Sequence, residues 1–514
     1  MSTETNKRIA KNTGLLYFRM ILIMGISLYT SRIVLNTLGV KDYGTFNVVG
    51  GVVTMFGFFN GAMASATQRF LSYEIGRKDY IQLRKTFNAT QIIHIGIALI
   101  IFSFAEIVGL WFVNNQLNLP DGRMEAARWV YHFSVLSFMV SIIQVPYNAV
   151  ILARERMSVY AYVSILEVLL KLLIVFMLTW IAFDKLKLYG ILLLVVSVVI
   201  AVVYRIYVLK HFAEARFKFI KDKTLYKTLI SYSGWNLFGG IAMVAKNQGI
   251  SIILNIFFGT VVNAAQGIAN QVYGAINSFV ANFQMASNPQ IVKSYAATDN
   301  EYMTNLIIRT SKFSFYLLFI LTLPVLLEID FILKLWLKIV PKYTSIFTIL
   351  ILINAWVDSI SGPLITAVQA TGKIKTYQIF VGIIFMLNLP VSYLLFKMGF
   401  SPVSTFIVNV CVTSIAFVFR IFFTKMQIQD FPVSRFLKEV IIRNIPVILL
   451  SALIPWIIKS NMHSGIIRLM LVTIVSLIAS LIVVYLIGLI NNEKLFVKKT
   501  LFDVLLKIEK WKLR

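Results

Sequence analysis

The side chains able to do chemistry in this sequence are charges and carboxamides set inside long apolar runs. Arg19 and Arg32 share the first such run, thirteen residues apart, and so point about 140° from each other on a helix. Lys246 lies mid-run in Lys246-Asn247-Gln248-Gly249, too deep for easy snorkelling, beside a glycine able to loosen a helix. Fixed cations of this kind hold phosphates or carboxylates. Glu167 and Lys171 stand one helical turn apart and either neutralise each other or exchange an ion. Asp358 has no basic residue in its own run, which makes it a candidate for proton or sodium coupling or for pairing with a buried cation from another helix. Asn263, Gln266, Asn270, Asn277 and Gln284 recur at helical steps along one face. A smaller counterpart runs through Asn47, Gly50, Thr54, Gly57, Asn60 and Ala64. Carboxamides both donate and accept, so such faces either glue helices together or line a watery cavity suited to sugar hydroxyls.

The elements that must position these groups follow from composition. The chain has 514 residues, 58% of them hydrophobic and 14% charged, with a mean hydropathy of +0.80, outside the soluble range. A single cysteine, Cys411, excludes an intramolecular disulfide, and four scattered histidines form no metal-ligand spacing. Zinc enzymes, disulfide scaffolds and soluble nucleic-acid binders are excluded. A crossing needs about 20 helical residues, and such runs fill the chain. The expectation is an all-α polytopic membrane protein with about fourteen spans, the first near 14–37 and the last near 466–489. No small-residue cleavage site follows the first run, which therefore reads as a span rather than a leader.

Basic residues set the orientation. With the N-terminus inside, inner segments carry about three times as many Lys and Arg as outer ones, which places both termini in the cytoplasm. The net charge of +27 then faces an anionic inner leaflet. Arg309 and Lys312, at the inner end of the ninth span, are expected to reach head groups. The outer segments are too short for a soluble catalytic domain, so the helices themselves must do the work and no enzyme is expected.

The sequence also repeats. Pro146, Ala153, Arg156 and Tyr160 are matched by Pro363, Ala370, Lys373 and Tyr377 at an offset of 217. Val203-Tyr204-Arg205-Ile206-Tyr207 with Lys210 reappears as Val418-Phe419-Arg420-Ile421-Phe422 with Lys425 at 215. Ser72-Tyr73 with Tyr80 and Ser294-Tyr295 with Tyr302 add a third pair at 222. Six spans separate the copies, so the halves share one orientation, as in transporters that rock two bundles about an axis along the membrane normal. The expected domains are a six-helix bundle over 1–212, a second over 226–427, helices thirteen and fourteen over 440–490, and a basic cytoplasmic tail over 491–514.

The stretch Tyr29-Thr30-Ser31-Arg32 through Gly39-Val40-Lys41-Asp42-Tyr43-Gly44, followed by Val49-Gly50-Gly51 and Thr67-Gln68-Arg69-Phe70-Leu71-Ser72, resembles the bacterial polysaccharide (O-antigen type) flippases. These belong to the superfamily that also holds multidrug exporters and lipid II flippases. The resemblance implies two six-helix bundles around a central cavity in the bacterial inner membrane. It implies a cargo of undecaprenyl-diphosphate-linked oligosaccharide, moved to the outer leaflet by alternating access for surface polysaccharide assembly, with glycan assembly proteins as partners and no nucleic acid. Drug exporters of the superfamily commonly carry an acid in span one; here that span has Arg19 and Arg32 and no acid, which fits an anionic diphosphate. Arg19, Arg32 and Lys246 are the positions onto which the family's cationic cavity is carried, beside the carboxamides Asn263, Gln266, Asn270, Asn277 and Gln284. No cofactor or metal is implied; the drive is proton or sodium coupling, through Asp358, Glu167 and Lys171, or the membrane potential. The alternatives are a cation-coupled exporter of small molecules and a membrane-embedded glycan polymerase or transferase.

Overall fold

The computed structural model describes residues 2–54, 56–115, 122–337, 340–428, 430–495 and 498. Every regular element among them is helical, as lipid requires of a backbone that cannot hydrogen-bond to its solvent. Eleven of these segments are long and apolar enough to cross a hydrocarbon core. The first and second expected spans include residues outside the described ones, and the eighth falls short of that measure through its polar residues. Span one keeps a shorter apolar stretch, Asn12–Ser27, and span eight is the carboxamide-rich helix Thr260–Ala296. The all-helical polytopic fold is present, with a span count close to fourteen. Most of the expected basic tail, 499–514, lies outside the described residues, as do the side chains of Asn47 and Thr54.

The backbone carries the repeat as well. Span one and the start of span two form one helical stretch, Ser2–Thr54, broken at Gly39 (φ 76°, ψ 165°), and the rest of span two lies in the helix Gly57–Arg77. Left-handed residues fall in pairs: Gly39 with Gly259, Lys78 with Thr298, Gly122 with Tyr343, and Glu155 with Gly372, at offsets of 220, 220, 221 and 217. This conformation costs a residue with a Cβ roughly 1–2 kcal/mol, so four pairs at nearly one spacing mark turns kept after duplication. Pro146 and Pro363 likewise fall at matching places inside Met124–Ala153 and Thr344–Thr371.

The chain divides into two compact units. The first comprises Met1–Asn247, Asn282–Met303 and Ile365–Met386. It therefore contains the first six spans together with helix ends drawn from the second sequence half. Its core gathers Leu71, Phe87, Tyr147, Ile151, Ile174 and Tyr204, with Phe87 edge-on to Tyr147 at 5.5 Å. A second cluster sets Val49, Val53, Val113 and Val130 around Tyr131. There the helix widens into a π turn, Ala105–Gly109, which frees the Ala105 carbonyl to accept from the Tyr131 hydroxyl at 2.6 Å. Gly109 is required beside it, because a Cβ would stand 2.1 Å from the Tyr131 oxygen.

Asp42, from the motif Asp42-Tyr43-Gly44, is part of a staple in this unit. Arg123 donates from Nε to Asp42 Oδ1 at 2.7 Å and from Nη1 to Asp184 Oδ2 at 2.7 Å. Desolvation opposes the charged form of Asp184, but the Arg123 hydrogen bond and the Lys187 and Leu186 amides outweigh it and hold its carboxyl below the usual range.

The second unit comprises Gln248–Ala281, Thr304–Leu364 and Leu387–Arg514. Phe347 stacks on Phe406 with ring centroids 4.0 Å apart, and Phe258 meets Phe396 edge-on at 4.9 Å. Two expectations are corrected here. Lys312 does not reach head groups: its side chain is fully buried and its Nζ donates to Glu493 Oε2 at 2.6 Å. A buried ammonium needs such a partner more than it needs solvent. Gly249 does not loosen its helix, since Lys223–Phe258 runs unbroken. The glycine instead admits Leu389, whose Cδ2 would lie 2.5 Å from an added Cβ.

Candidate functional site

Three of the expected residues meet in the first unit. Arg19, Glu167 and Lys171 line one cavity of about 410 Å³, together with Tyr43, Tyr160, Tyr189, Ser27 and Thr30. The Arg19 guanidinium lies over the Tyr160 ring, 4.6 Å from its centroid. Its Nε and Nη1 are buried without a hydrogen-bond partner among the described residues, as is the Thr30 hydroxyl. Lys171 Nζ donates to Glu167 Oε1 at 2.6 Å, so this pair supplies little net charge and the cavity's positive character rests on Arg19.

Glu167 is also part of the wall of a neighbouring cavity of about 220 Å³, lined by Asn60, Ala64, Gln68, Ser141, Gln144, Asn148 and Ser197. Asn60 Nδ2 donates to Ser141 Oγ at 3.2 Å, and Gln144 Nε2 to Asn148 Oδ1 at 3.2 Å. Of the face expected on span two, Asn60 and Ala64 line this cavity beside Gln144 and Asn148 of span four. Positive charge, aromatic faces and hydroxyls in one cavity, and carboxamides in the next, are groups of the kind that hold an anionic group attached to a polyol.

The other expected positions are distributed differently. Lys246 is buried, with Nζ 4.6 Å from the Phe385 ring centroid, in the first unit. The side chain of Arg32 lies outside the described residues. In the second unit, Asp358 accepts from Asn354 Nδ2 at 2.9 Å and lies 3.8 Å from Arg420 Nη1; its cationic neighbour comes from another helix. Along Thr260–Ala296, Gln266 is buried and accepts from the Ser251 hydroxyl at 3.0 Å, which is helix–helix glue. Asn270 is exposed, Asn277 and Gln284 are half-buried, and Asn263 keeps a buried Oδ1 without a partner among the described residues. The stripe is helical, but its members do not share one environment.

A second constellation, not anticipated from the sequence, joins basic helix ends of the two sequence halves within the first unit. Arg69, 7% exposed, donates from Nε to the Gln369 carbonyl at 3.0 Å and from Nη2 to the Ala370 carbonyl at 2.6 Å. It thereby caps the C-terminal end of Thr344–Thr371, where the helix dipole favours a cation. The Tyr232 hydroxyl reaches the Gln369 carbonyl at 3.2 Å, and Asn236 Nδ2 reaches the Ala62 carbonyl at 2.8 Å. In the reciprocal grip, Glu155 Oε1 accepts from Gln290 Nε2 at 2.6 Å and pairs with Lys293. Between the two grips, the repeat mates Tyr73 and Tyr295 lie 6.4 Å apart. Gly76 sits so close that a Cβ would be 2.6 Å from the Lys293 carbonyl. Arg69 stands inside the stretch Thr67-Gln68-Arg69-Phe70-Leu71-Ser72, and Glu155 stands where the repeat places Gly372, but neither position reveals its partner.

No family model matches the sequence, and no curated protein matches it. Solved structures match by shape. An outward-facing conformation of a multidrug resistance MATE family transporter of the MOP superfamily superposes with a TM-score of 0.69 over 82% of this chain and 97% of its own, at 12% identity. The Vibrio cholerae MATE transporter VcmN in its bent form gives 0.67 over 84% and 98%, at 15% identity. A MATE in complex with MaL6 gives 0.64 over 85% and 100%, at 12%. At such identities the likeness concerns architecture: this multi-pass membrane chain has the fold of the MATE transporters of the MOP superfamily.

Proposed function

We propose that the chain is a flippase that carries an undecaprenyl-diphosphate-linked oligosaccharide from the inner to the outer leaflet of a bacterial cytoplasmic membrane, for surface polysaccharide assembly. The observation behind this reading is Arg19, which lines a cavity walled by tyrosines and hydroxyls and buries two guanidinium nitrogens without a hydrogen-bond partner among the described residues. A diphosphate crossing hydrocarbon alone would shed its water at great cost; a wet cationic cavity replaces that water while the prenyl tail stays in lipid. No covalent bond changes. With both termini cytoplasmic, outward movement of negative charge is assisted by an inside-negative potential at about 2.3 kcal/mol per charge per 100 mV.

Vesicles holding the purified chain and a labelled diphosphate-linked glycan test this reading. Wild type should transfer label between leaflets, and Arg19→Ala should slow transfer at least tenfold. A competent wild-type preparation that transfers nothing would remove the proposal. A second reading, a cation-coupled exporter of small molecules, has its own support in Glu167, whose carboxylate borders both cavities, and in the multidrug substrates named for a structural neighbour. It requires Glu167→Gln to abolish transport while Arg19→Ala spares it, and soluble cations to compete.

A further inference from the structure

The reciprocal grips leave one charge unbalanced. Lys293 has Glu155 as its counter-ion. No carboxylate lies within ion-pair distance of Arg69 among the described residues; its guanidinium is held by two carbonyls and by the faces of Phe70, Tyr73 and Tyr232, at 4.6, 4.8 and 5.4 Å. A buried cation without a counter-ion is expensive to keep, and this one borders open space. Arg69, Lys227, Lys373 and Lys375 line a cavity of about 830 Å³, which Trp235 and a run of threonine hydroxyls complete. Lys375 Nζ stands 5.2 Å from the Trp235 ring.

Two acids share the wall, and neither cancels the four cations. Asp222 caps a helix start, accepting from the Leu225 amide at 2.9 Å. Glu74 is 7% exposed, and its Oε2 has no partner among the described residues. Burial raises its carboxyl above the usual range, with Asp79 adding to the rise and Arg77 and Arg69 opposing it. The volume lies within the usual range of about 300–1,000 Å³ for small-molecule sites.

We propose that this basic cavity is a docking site for the phosphate head group of an anionic lipid at the inner membrane face, with Arg69 as its buried contact and Lys227 and Lys375 as its outer ones. A phosphate oxygen competes with the Gln369 and Ala370 carbonyls for the same guanidinium, so docking loosens the grip that ties the two sequence halves together. The assignment of a transported diphosphate, rather than a bulk phospholipid, as the ligand rests on the flippase reading; the anion site itself does not.

The test uses the purified full-length chain in detergent and farnesyl diphosphate as probe, with binding followed by native mass spectrometry. The double variant Lys227→Gln/Lys375→Gln, changed at two exposed positions outside the hydrogen bonds of the grip, should bind at least fivefold more weakly, and Arg69→Lys should do the same. Lys397→Gln, at an exposed position outside the lining of this cavity, should bind as wild type. A loss smaller than fivefold in the double variant would overturn the site. Phosphatidylglycerol should fail to displace the probe at equal concentration; displacement would overturn the transported lipid as ligand. If wild type transfers glycan in vesicles and the double variant does so at unchanged substrate dependence, the site falls and the flippase stands. If the probe binds as expected and no glycan moves, the flippase falls and the site stands.

Discussion

The two turns that follow spans four and ten have the same backbone and opposite chemistry. Each is left-handed at the corresponding residue, Glu155 with φ 58° and Gly372 with φ 78°. Each is gripped by the basic end of a helix from the other sequence half. At Glu155 the turn supplies a carboxylate and the visiting helix supplies Gln290 and Lys293. At Gly372 the turn offers bare carbonyls, and the missing side chain is what admits the Arg69 guanidinium: a Cβ there would lie 2.8 Å from Nη2. Duplication has kept the geometry of the contact and exchanged its electrostatics. One grip is a closed ion pair; the other is a cation satisfied by dipoles and rings, still able to answer to a new anion.

The comparison is broken most forcefully at the closed pair. Glu155→Ala leaves Lys293, whose side chain is 17% exposed, without its counter-ion, and removing one member of a buried pair costs about 3–5 kcal/mol. Thermal unfolding of the full chain in detergent should show the loss, and Glu155→Gly should recover about 1 kcal/mol of it by relieving the left-handed strain. Equal stability of wild type and Glu155→Ala would mean that the pair contributes nothing. At the open grip, Gly372→Ala should cost about 2–3 kcal/mol, from strain at φ 78° and from displacing one charge-assisted hydrogen bond of Arg69. The same unfolding assay checks it, and restoration by a second change, Arg69→Ala, would identify the clash as the cause.

Much of this molecule could be read from residue order, and the part that could not has a physical reason. Helix number, the repeat and the polarity of span eight are properties of single segments, set by a period of 3.6 residues and by the thickness of hydrocarbon. The Glu167–Lys171 pair was legible for the same reason, being one turn apart on one helix. The Arg69 grip was not, because its partners are backbone carbonyls some 300 residues away, and carbonyls carry no sequence signature. Lys312 misled in the opposite way: at the end of a span it reads as a head-group anchor, whereas its partner Glu493 comes from beyond the last span. The neighbour of Asp358 was not legible either, because Arg420 comes from another helix.

Smaller changes sharpen the contrast between the grips. Arg69→Lys keeps the charge, but a point ammonium cannot span the carbonyls of Gln369 and Ala370 as the planar fork does, and a loss of about 1–2 kcal/mol is expected in the unfolding assay. Lys293→Arg at the closed pair should cost less than this, since a carboxylate accepts either cation.

The smallest expected effect is at Glu74, and it has a definite pH dependence. Burial raises the Glu74 carboxyl in the folded chain, so the folded state holds this proton more tightly than the unfolded state does. Stability from that difference is fully present below the unfolded value of about 4.3 and is lost as pH rises through the folded value. At pH 7 the wild type therefore carries the cost of a buried carboxylate, which Glu74→Gln removes. The variant should melt slightly higher than wild type at pH 7, by less than any of the losses above, and the two should converge near pH 4. A Glu74→Gln chain less stable than wild type at pH 7 would mean that the ionised carboxylate is a working counter-ion of Arg69. The open grip would then be as closed as the pair at Glu155, and the electrostatic contrast between the two turns would disappear.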